Sequence, residues 1–514
     1  MKYYRKLGLF FFFTVLLLIV SCERSSKKLY IPFNTQISKI CPGGITAQNW
    51  VSLSLQINET LFSLNKYGEI RPLLIDDWEV NKSRDEYKFK LKKGILFHNS
   101  KELVSNDVIY SYRKMKENKA LHTSSKFIGK ILNISYINKY EFSIKLKEAL
   151  PDFLFFLASS SLRIYPDNMF ENEPDCSKQW VGTGAFFLDL ISDKSIVLKR
   201  FDRYREKHGV TELHFVSTKG SSLERKKKQL KMFHDKRIDL MHIDRGEVED
   251  YKKNKLLKVS SHPILGSFFV GFDMNNPVFQ NKNLRLAIFH SIDRAAIIKS
   301  YKVPKKLIPD SILPFGVSGY VAASTPSFNI KLAKRYLSKI EKNNLPLAKD
   351  FKIIVPKNFH PMGVHAIKII NKGLRELKLP KITYTELNED YGKGNIGNYY
   401  SYLQKNNFNL YIRGMIFDIP SSFFMLHGVY SEKSSLNFGR IKNAKIQNIF
   451  KDITLKGKKW DRSVTREMIN ITSQERYIIP LGNLFNNVIM RRDKNLHYQA
   501  ISPLYIRYKD FLEK

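Results

Sequence analysis

Asp418 is the one carboxylate in "IRGMIFDIP" (412–420), among Ile, Met and Phe residues that would otherwise suit a buried strand. Burying a carboxylate is costly unless a cation or several donors compensate it. The chemistry open to such a group is recognition of an ammonium through a charge-assisted hydrogen bond; the alternative is an Asp that caps the turn before Pro420. Other reactive constellations are missing from the sequence. HExxH, GxSxG and GxxxxGK[ST] do not occur, so no nucleophile–base pair or zinc-protease site can be assembled. His360 and His365, the closest histidine pair, are five apart and do not stack on one helical face. "GKGNIG" (392–397) satisfies GxGxxG, but acidic and polar "TELNEDY" precedes it where a nucleotide-binding unit needs an apolar strand, so it reads as a loop. The expectation is a binding protein with no metal and no cofactor.

The start of the chain sets the compartment. Lys2, Arg5 and Lys6 precede "LGLFFFFTVLLLIV" (7–20), an apolar run shorter than the ~20 residues of a bilayer span. It ends in "IVSC", which looks like a bacterial lipobox and makes Cys22 the expected lipid-attachment residue, with 1–21 a signal peptide and 22–28 a polar tether. Two or more acyl chains anchor stably where one is marginal. Cys41 and Cys176 then remain, as a pair or as two free thiols, and no CxxC suggests a zinc ribbon or a redox site. The net charge of +38 would attract polyanions, yet "ERKKKQLK" (224–231) and "KGKKW" (456–460) carry no nucleic-acid-binding pattern and read as solvated faces. A basic surface lipoprotein that binds polyanions is the alternative this charge supports.

A chain of 514 residues exceeds one hydrophobic core, so two or three domains must position Asp418. "LYIPF" (29–33) has strand composition. Tyr87, Phe89 and Leu91 alternate towards a turn at Gly94. Ser105 is expected to cap a helix over 105–115, and "VGTGAFFLDL" (181–190) reads as a Gly-rich turn entering a strand. Leu284, Ile288, Ile292 and Ala296 recur at helical spacing and predict one helix over 281–301, capped by Asn281 or Asn283. "IKLAKRYLSKI" (330–340) predicts an amphipathic helix, "FKIIVP" (351–356) a strand, and "NLYIRGMIFDIP" a strand with Asp418 near its exit.

Four segments, "LFSLNKYGEIRPLLIDDWEV", "YKFKLKKGILFHNSKELVSNDVIYSYRKM", "VGTGAFFL" and "VGFDMNNPVFQNKNLRLAIFHSIDRAAI", occur in the order in which they stand in one family. The chain resembles the family 5 extracellular solute-binding proteins, the oligopeptide- and dipeptide-binding components of ABC transporters, over nearly all of its mature length. The resemblance implies an α/β fold of two hinged lobes with an extra subdomain in the first. The first lobe would take 29–50, 180–272 and 485–514, the subdomain 51–179 and the second lobe 273–484. It also implies that "GMIFD" (414–418) meets the solute: Asp418 pairing with a peptide α-ammonium, Gly414 admitting the peptide backbone, the main chain at Ile416 adding it as a strand, and Met415 standing in place of an aromatic residue. The implied partners are an oligopeptide and the permease subunits, with the membrane reached through the lipid anchor, no nucleic acid and a monomeric state. Relatives that carry nickel chelates, haem, sugars or opines keep a non-peptide solute as the alternative. The sequence departs from the family pattern at Ser100 and Lys236, where Gly is usual, at Val104, where Thr often caps the helix, and in a shortened "IPSSFF" after Asp418.

Overall fold

A computed structural model describes residues 27–34, 48–65, 67–117, 128–170, 180–220, 222–299, 302, 307–317, 319–322, 328–340, 349–356, 361–387, 398–417, 420–497 and 506–511. Three sheets and a two-stranded ribbon organise them. In the first sheet β1 (Lys28–Phe33) runs parallel to β10 (Glu212–Ser217), which continues antiparallel through β9 (Ser195–Arg200) to β8 (Phe186–Ile191). The second is an antiparallel sheet in the order β4 (Ile75–Val80), β5 (Glu86–Leu91), β7 (Glu141–Leu146), β6 (Ile131–Asn138), beside the ribbon of β2 (Phe62–Leu64) and β3 (Ile70–Pro72). The third has six strands, ordered β11 (Leu240–His242), β16 (Ile478–Arg491), β12 (Leu257–Phe272), β15 (Leu410–Ile416), β13 (Phe351–Pro356), β14 (Ile382–Leu387).

The lengths of β12 and β16, 16 and 14 residues, exceed the usual ~5–6 because each serves two lobes. Leu257 to Pro263 pair with Phe485 to Arg491, next to β11. Ser267 onward pairs with Asn483 and earlier residues, next to β15. The first half packs on Met232, Ile238, Met241 and Ile489, the second on Leu284, Ile288, Ile412 and Ile479. The ladder is interrupted between Pro263 and Ser267. This is an α/β molecule of two lobes joined where two long strands cross.

Alternation at Tyr87, Phe89 and Leu91 puts all three in the core, with Phe89 stacked on Phe142 at 5.4 Å, and Gly94 adopts the left-handed conformation (φ 74°). The helix predicted over 281–301 is instead two, Lys282–Ser291 and Arg294–Lys299. Asn281 caps the first by accepting from Leu284 N–H; Ile292 then turns extended (φ −97°, ψ 116°), and Asp293 accepts from Ala296 N–H to start the second. The break leaves Ile292 buried and puts Ile297 and Ile298, not Ala296, in the core. Ser105 is likewise not the cap of helix Ser105–Glu117: its hydroxyl donates to Asn138 C=O, and the cap position falls on Val104. Val104 offers no side-chain oxygen, and the buried carboxylate of Asp107 takes up Val104 N–H at 2.8 Å, the reciprocal half of a capping box.

Both positions where the sequence lacks a customary Gly are strained. Ser100 and Lys236 have φ of 69° and 57°, which costs an L-residue about 1–2 kcal/mol. Ser100→Gly and Lys236→Gly should therefore each raise stability by about 0.5–1 kcal/mol, after allowing for glycine's greater unfolded-state entropy. A lower urea midpoint in both variants would show that the side chains recover more than the strain.

The turn "VGTG" has a steric reason for its glycines. A Cβ on Gly182 would lie 2.0 Å from Ile57 C=O, and one on Gly184 2.2 Å from Gln56 C=O, both backbone atoms. Gly184→Ala should cost about 3 kcal/mol, read as a drop in the denaturant midpoint at unchanged slope. His98 braces the same turn: its Nε2 bonds Gly184 C=O at 3.0 Å and its Nδ1 accepts from Gly182 N–H at 3.3 Å. Burial lowers the His98 imidazole to about 4, so it stays neutral in the fold. The unfolded chain takes up that proton near pH 6.5, so this contribution is complete above about 6.5 and is lost as pH falls towards 4. Urea titrations at pH 7 and pH 4.5 should show a loss that is smaller by about 2–3 kcal/mol in His98→Asn. An unchanged pH profile in that variant would acquit His98.

Candidate functional site

β15 leaves the second lobe's core at its last residues. Leu410 and Ile412 are buried under the helices of that lobe, but Gly414 and Ile416, on the same face, are exposed, Ile416 by 42%. Tyr411, Met415 and Phe417 are buried on the other face. Of the residues expected at the site, Gly414 and Ile416 therefore share an accessible surface, and Met415 lies beneath it. Asp418 and Cys22 are outside the described residues, as are Cys41, Cys176 and "GKGNIG".

A Cβ on Gly414 would make only ordinary contacts, 3.8 Å from Phe268 and 3.9 Å from Leu484, so no neighbouring protein atom demands a glycine there. What the glycine leaves bare is its own backbone. Gly266, opposite Ile416 in the ladder, is more tightly packed: its Cβ would stand 2.9 Å from Leu484 Cδ1, so that side chain would have to shift. Phe417 N–H donates to Leu265 C=O at 2.7 Å and extends β15 to the edge of the hinge break.

Ser421 is buried, caps helix Ser422–Tyr430 through Phe424 N–H, and donates to the carboxylate of Asp152 at 2.6 Å. Asp152 itself precedes helix Phe153–Leu157 in a left-handed conformation (φ 56°), and burial raises its carboxyl above the usual range, against the lowering effect of the Ser421 bond. This bond joins the β4–β7 unit to the second lobe. A second bridge crosses beside the hinge. Arg245 donates to Ser261 Oγ at 3.1 Å and to Lys302 C=O at 2.8 Å, while Lys302 Nζ donates to Gly246 C=O at 3.1 Å. The Arg245 guanidinium lies 5.2 Å from the Phe485 ring centroid, its Nε has no partner, and burial lowers its pKa. On the second-lobe side Ser267 Oγ holds Ile312 C=O at 2.5 Å, and Asn483 binds Leu307 C=O and Phe315 N–H.

The exposed end of β15 thus lies beside the hinge break, on the stretch of chain between the crossing strands and the Asp152 contact. It presents bare backbone, an aliphatic Ile416 and the approach to Asp418. Such a surface can add an extended segment and fix its charged end. Sequence reading identified the β15 residues but not Asp152, Ser421 or Arg245, whose partners are remote in sequence and signalled by no motif.

Two α/β lobes joined by two long crossing strands, with an exposed strand end beside the crossing, make the two-lobed architecture of solute-binding proteins. The chain belongs to the bacterial extracellular solute-binding proteins, family 5, whose middle region matches residues 69–437. It is 24% identical over 372 residues to the dipeptide-binding protein DppE of Bacillus subtilis, covering 67% of this chain and 62% of that relative, so it spans about three fifths of that relative's length. Among solved structures, the fold is shared with the Helicobacter pylori periplasmic binding protein DppA in complex with the peptide STSA (TM-score 0.73, 19% identity, 95% of this chain and 98% of the other). It is shared as well with Brucella suis NikA in complex with Fe(III)-EDTA (TM-score 0.79, 17% identity, 95% and 100%). No helix among the described residues is long and apolar enough to cross a membrane.

Proposed function

We propose that this chain is a lipid-anchored, extracytoplasmic solute-binding protein that captures peptides between its lobes and delivers them to the permease of an ABC transporter. The observation that carries the reading is the pair of exposed residues Gly414 and Ile416 on one face of β15 beside the hinge, two residues before Asp418 in sequence. Peptide main chain pairs with that strand end irrespective of side chains, and Asp418 takes the α-ammonium. The relative named for dipeptides and the neighbour that holds a peptide support the same solute class. Cys22 carries the anchor, the protein acts as a monomer without a catalytic step, and its lobes divide as 29–50, 180–272 and 485–514 against 273–484, with 51–179 as the extra subdomain. The boundary at 484 falls beside the break in the ladder between Pro263 and Ser267, where a hinge has to act, whereas the boundary at 272 lies at the far end of β12, past that break. Mass spectrometry of whatever co-purifies with the native protein, after denaturation, should detect short peptides. Recovery of a metal chelate, haem or sugar in their place would overturn the peptide assignment while keeping the fold.

A further inference from the structure

The lobe that receives the N-terminus has two opposite edges with different surfaces. One faces the hinge. The other is where β1, β11 and β12 begin and β16 ends, because β16 runs antiparallel to β11 and β12. Hydrogen bonds tie these strand ends together: Tyr30 N–H reaches Asp239 Oδ2, Asp239 N–H reaches Tyr30 C=O, Arg491 N–H reaches Asp239 C=O, and Arg492 N–H reaches Leu256 C=O. Leu256 projects from this edge 77% exposed. Around it stand Lys236, Arg237, Lys255 and Arg492, all exposed, and the half-exposed Lys494. Lys236, Arg237 and Lys255 pair with no carboxylate among the described residues. The opposing acids are fewer: Asp239 is buried against Arg491, the exposed Asp493 and Asp250 are paired with Arg491 and Lys253, and Asp235 is exposed with no such pair among the described residues.

An exposed leucine ringed by cations matches an anionic bilayer, in which headgroup phosphates neutralise the Lys and Arg side chains and the leucine enters the apolar boundary. The length of the preceding chain agrees. Five residues lie between Cys22 and Lys28, a Cα-to-Cα reach of at most about 20 Å even fully extended. Resting on the lipid-anchor reading for that constraint, we propose that this edge docks the first lobe on a membrane surface containing anionic phospholipid. The hinge lies at the other end of the first half of β12, about 20 Å away, so docking leaves the groove clear and holds the second lobe outermost. A protein held in this way samples solute at the membrane surface, and it must lift from the bilayer to present both lobes to a permease.

The test uses unacylated protein, from residue 23 onward, co-sedimented with vesicles. It should bind vesicles containing phosphatidylglycerol and not those of pure phosphatidylcholine. Lys236→Glu, Arg237→Glu and Lys255→Glu together should weaken partitioning by at least about a hundredfold. Leu256→Ser should weaken it about tenfold. The same charge change on the second lobe, Lys331→Glu, Lys334→Glu and Arg335→Glu, should alter it less than about twofold. Far-ultraviolet circular dichroism and melting of each variant separate lost binding from lost folding. Equal losses in the two triple variants, or retention by heparin without binding to anionic vesicles, would overturn the proposal. Acylation at Cys22 is read independently from the mass of the N-terminal peptide of membrane-extracted protein, so its absence would sink the anchor without altering the vesicle result.

Discussion

Replacing Asp418 with Asn should weaken binding of a free-amine peptide by about 2–5 kcal/mol, roughly thirtyfold to several thousandfold in Kd. The substitution keeps the shape but turns one acceptor oxygen into an NH2 donor and removes the charge that would compensate a desolvated ammonium. The residues on either side are held firmly: Phe417 is buried and bonded to Leu265, and Ser421 is buried and bonded to Asp152. N-acetylation of the peptide should cost the unmodified protein a comparable amount, and the two changes together should cost little more than either alone. Calorimetric titration of both peptides against both proteins completes the cycle. Equal affinity of the unmodified protein for acetylated and free peptide would remove the ammonium contact, whatever the Asn variant did.

The parts of this fold that were legible in the sequence are those decided by neighbours a few residues apart. Tyr87, Phe89 and Leu91 alternate, and the strand is where they put it. β15 was legible as a strand that ends near Asp418. The helix break at Ile292 was not, because the apolar spacing of Leu284, Ile288 and Ile292 continues up to it, and only the cap formed by Asp293 distinguishes two helices from one. The first half of β12, "LKVSSHP", is too polar to read as a strand; what makes it one is pairing with Phe485 to Arg491, more than 200 residues on. The contacts that bridge the lobes, Asp152 with Ser421 and Arg245 with Lys302, are invisible for the same reason. Ser100 and Lys236 stood out against a family pattern, and the positive φ at each supplies the physical meaning of that departure.

Removing the Arg205 guanidinium while leaving Glu59 in place should cost about 3–5 kcal/mol of stability. Glu59 is 6% exposed, and Arg205 grips it with both terminal nitrogens, at 2.7 and 2.9 Å. Tyr204 and Thr183 donate their hydroxyls to the same carboxylate at 2.9 and 3.0 Å, and the guanidinium stacks 4.7 Å from the Tyr204 ring centroid. Burial and the Glu59 charge together raise the Tyr204 phenol far above its ordinary range, so it remains a donor at every physiological pH. Four segments meet here: the end of helix Gln48–Ile57, the "VGTG" turn, the loop after β9, and the C-terminal stretch, whose Lys509 reaches Glu206. In Arg205→Met the two hydroxyls remain, but a carboxylate stays buried without a counter-charge. Glu59→Gln should cost less, about 1–2 kcal/mol, because Arg205 is partly open to water and can be solvated. Adding Glu59→Gln to Arg205→Met should recover more than half of the loss, a coupling that urea titrations of the four proteins measure directly. If Arg205→Met cost under about 1 kcal/mol, or the double variant lost the sum of the two, the buried pair would not be what holds these segments together. Peptide affinity at neutral pH should remain unchanged in the double variant, since the cluster shapes the wall of the first lobe and touches neither Gly414 nor Ile416.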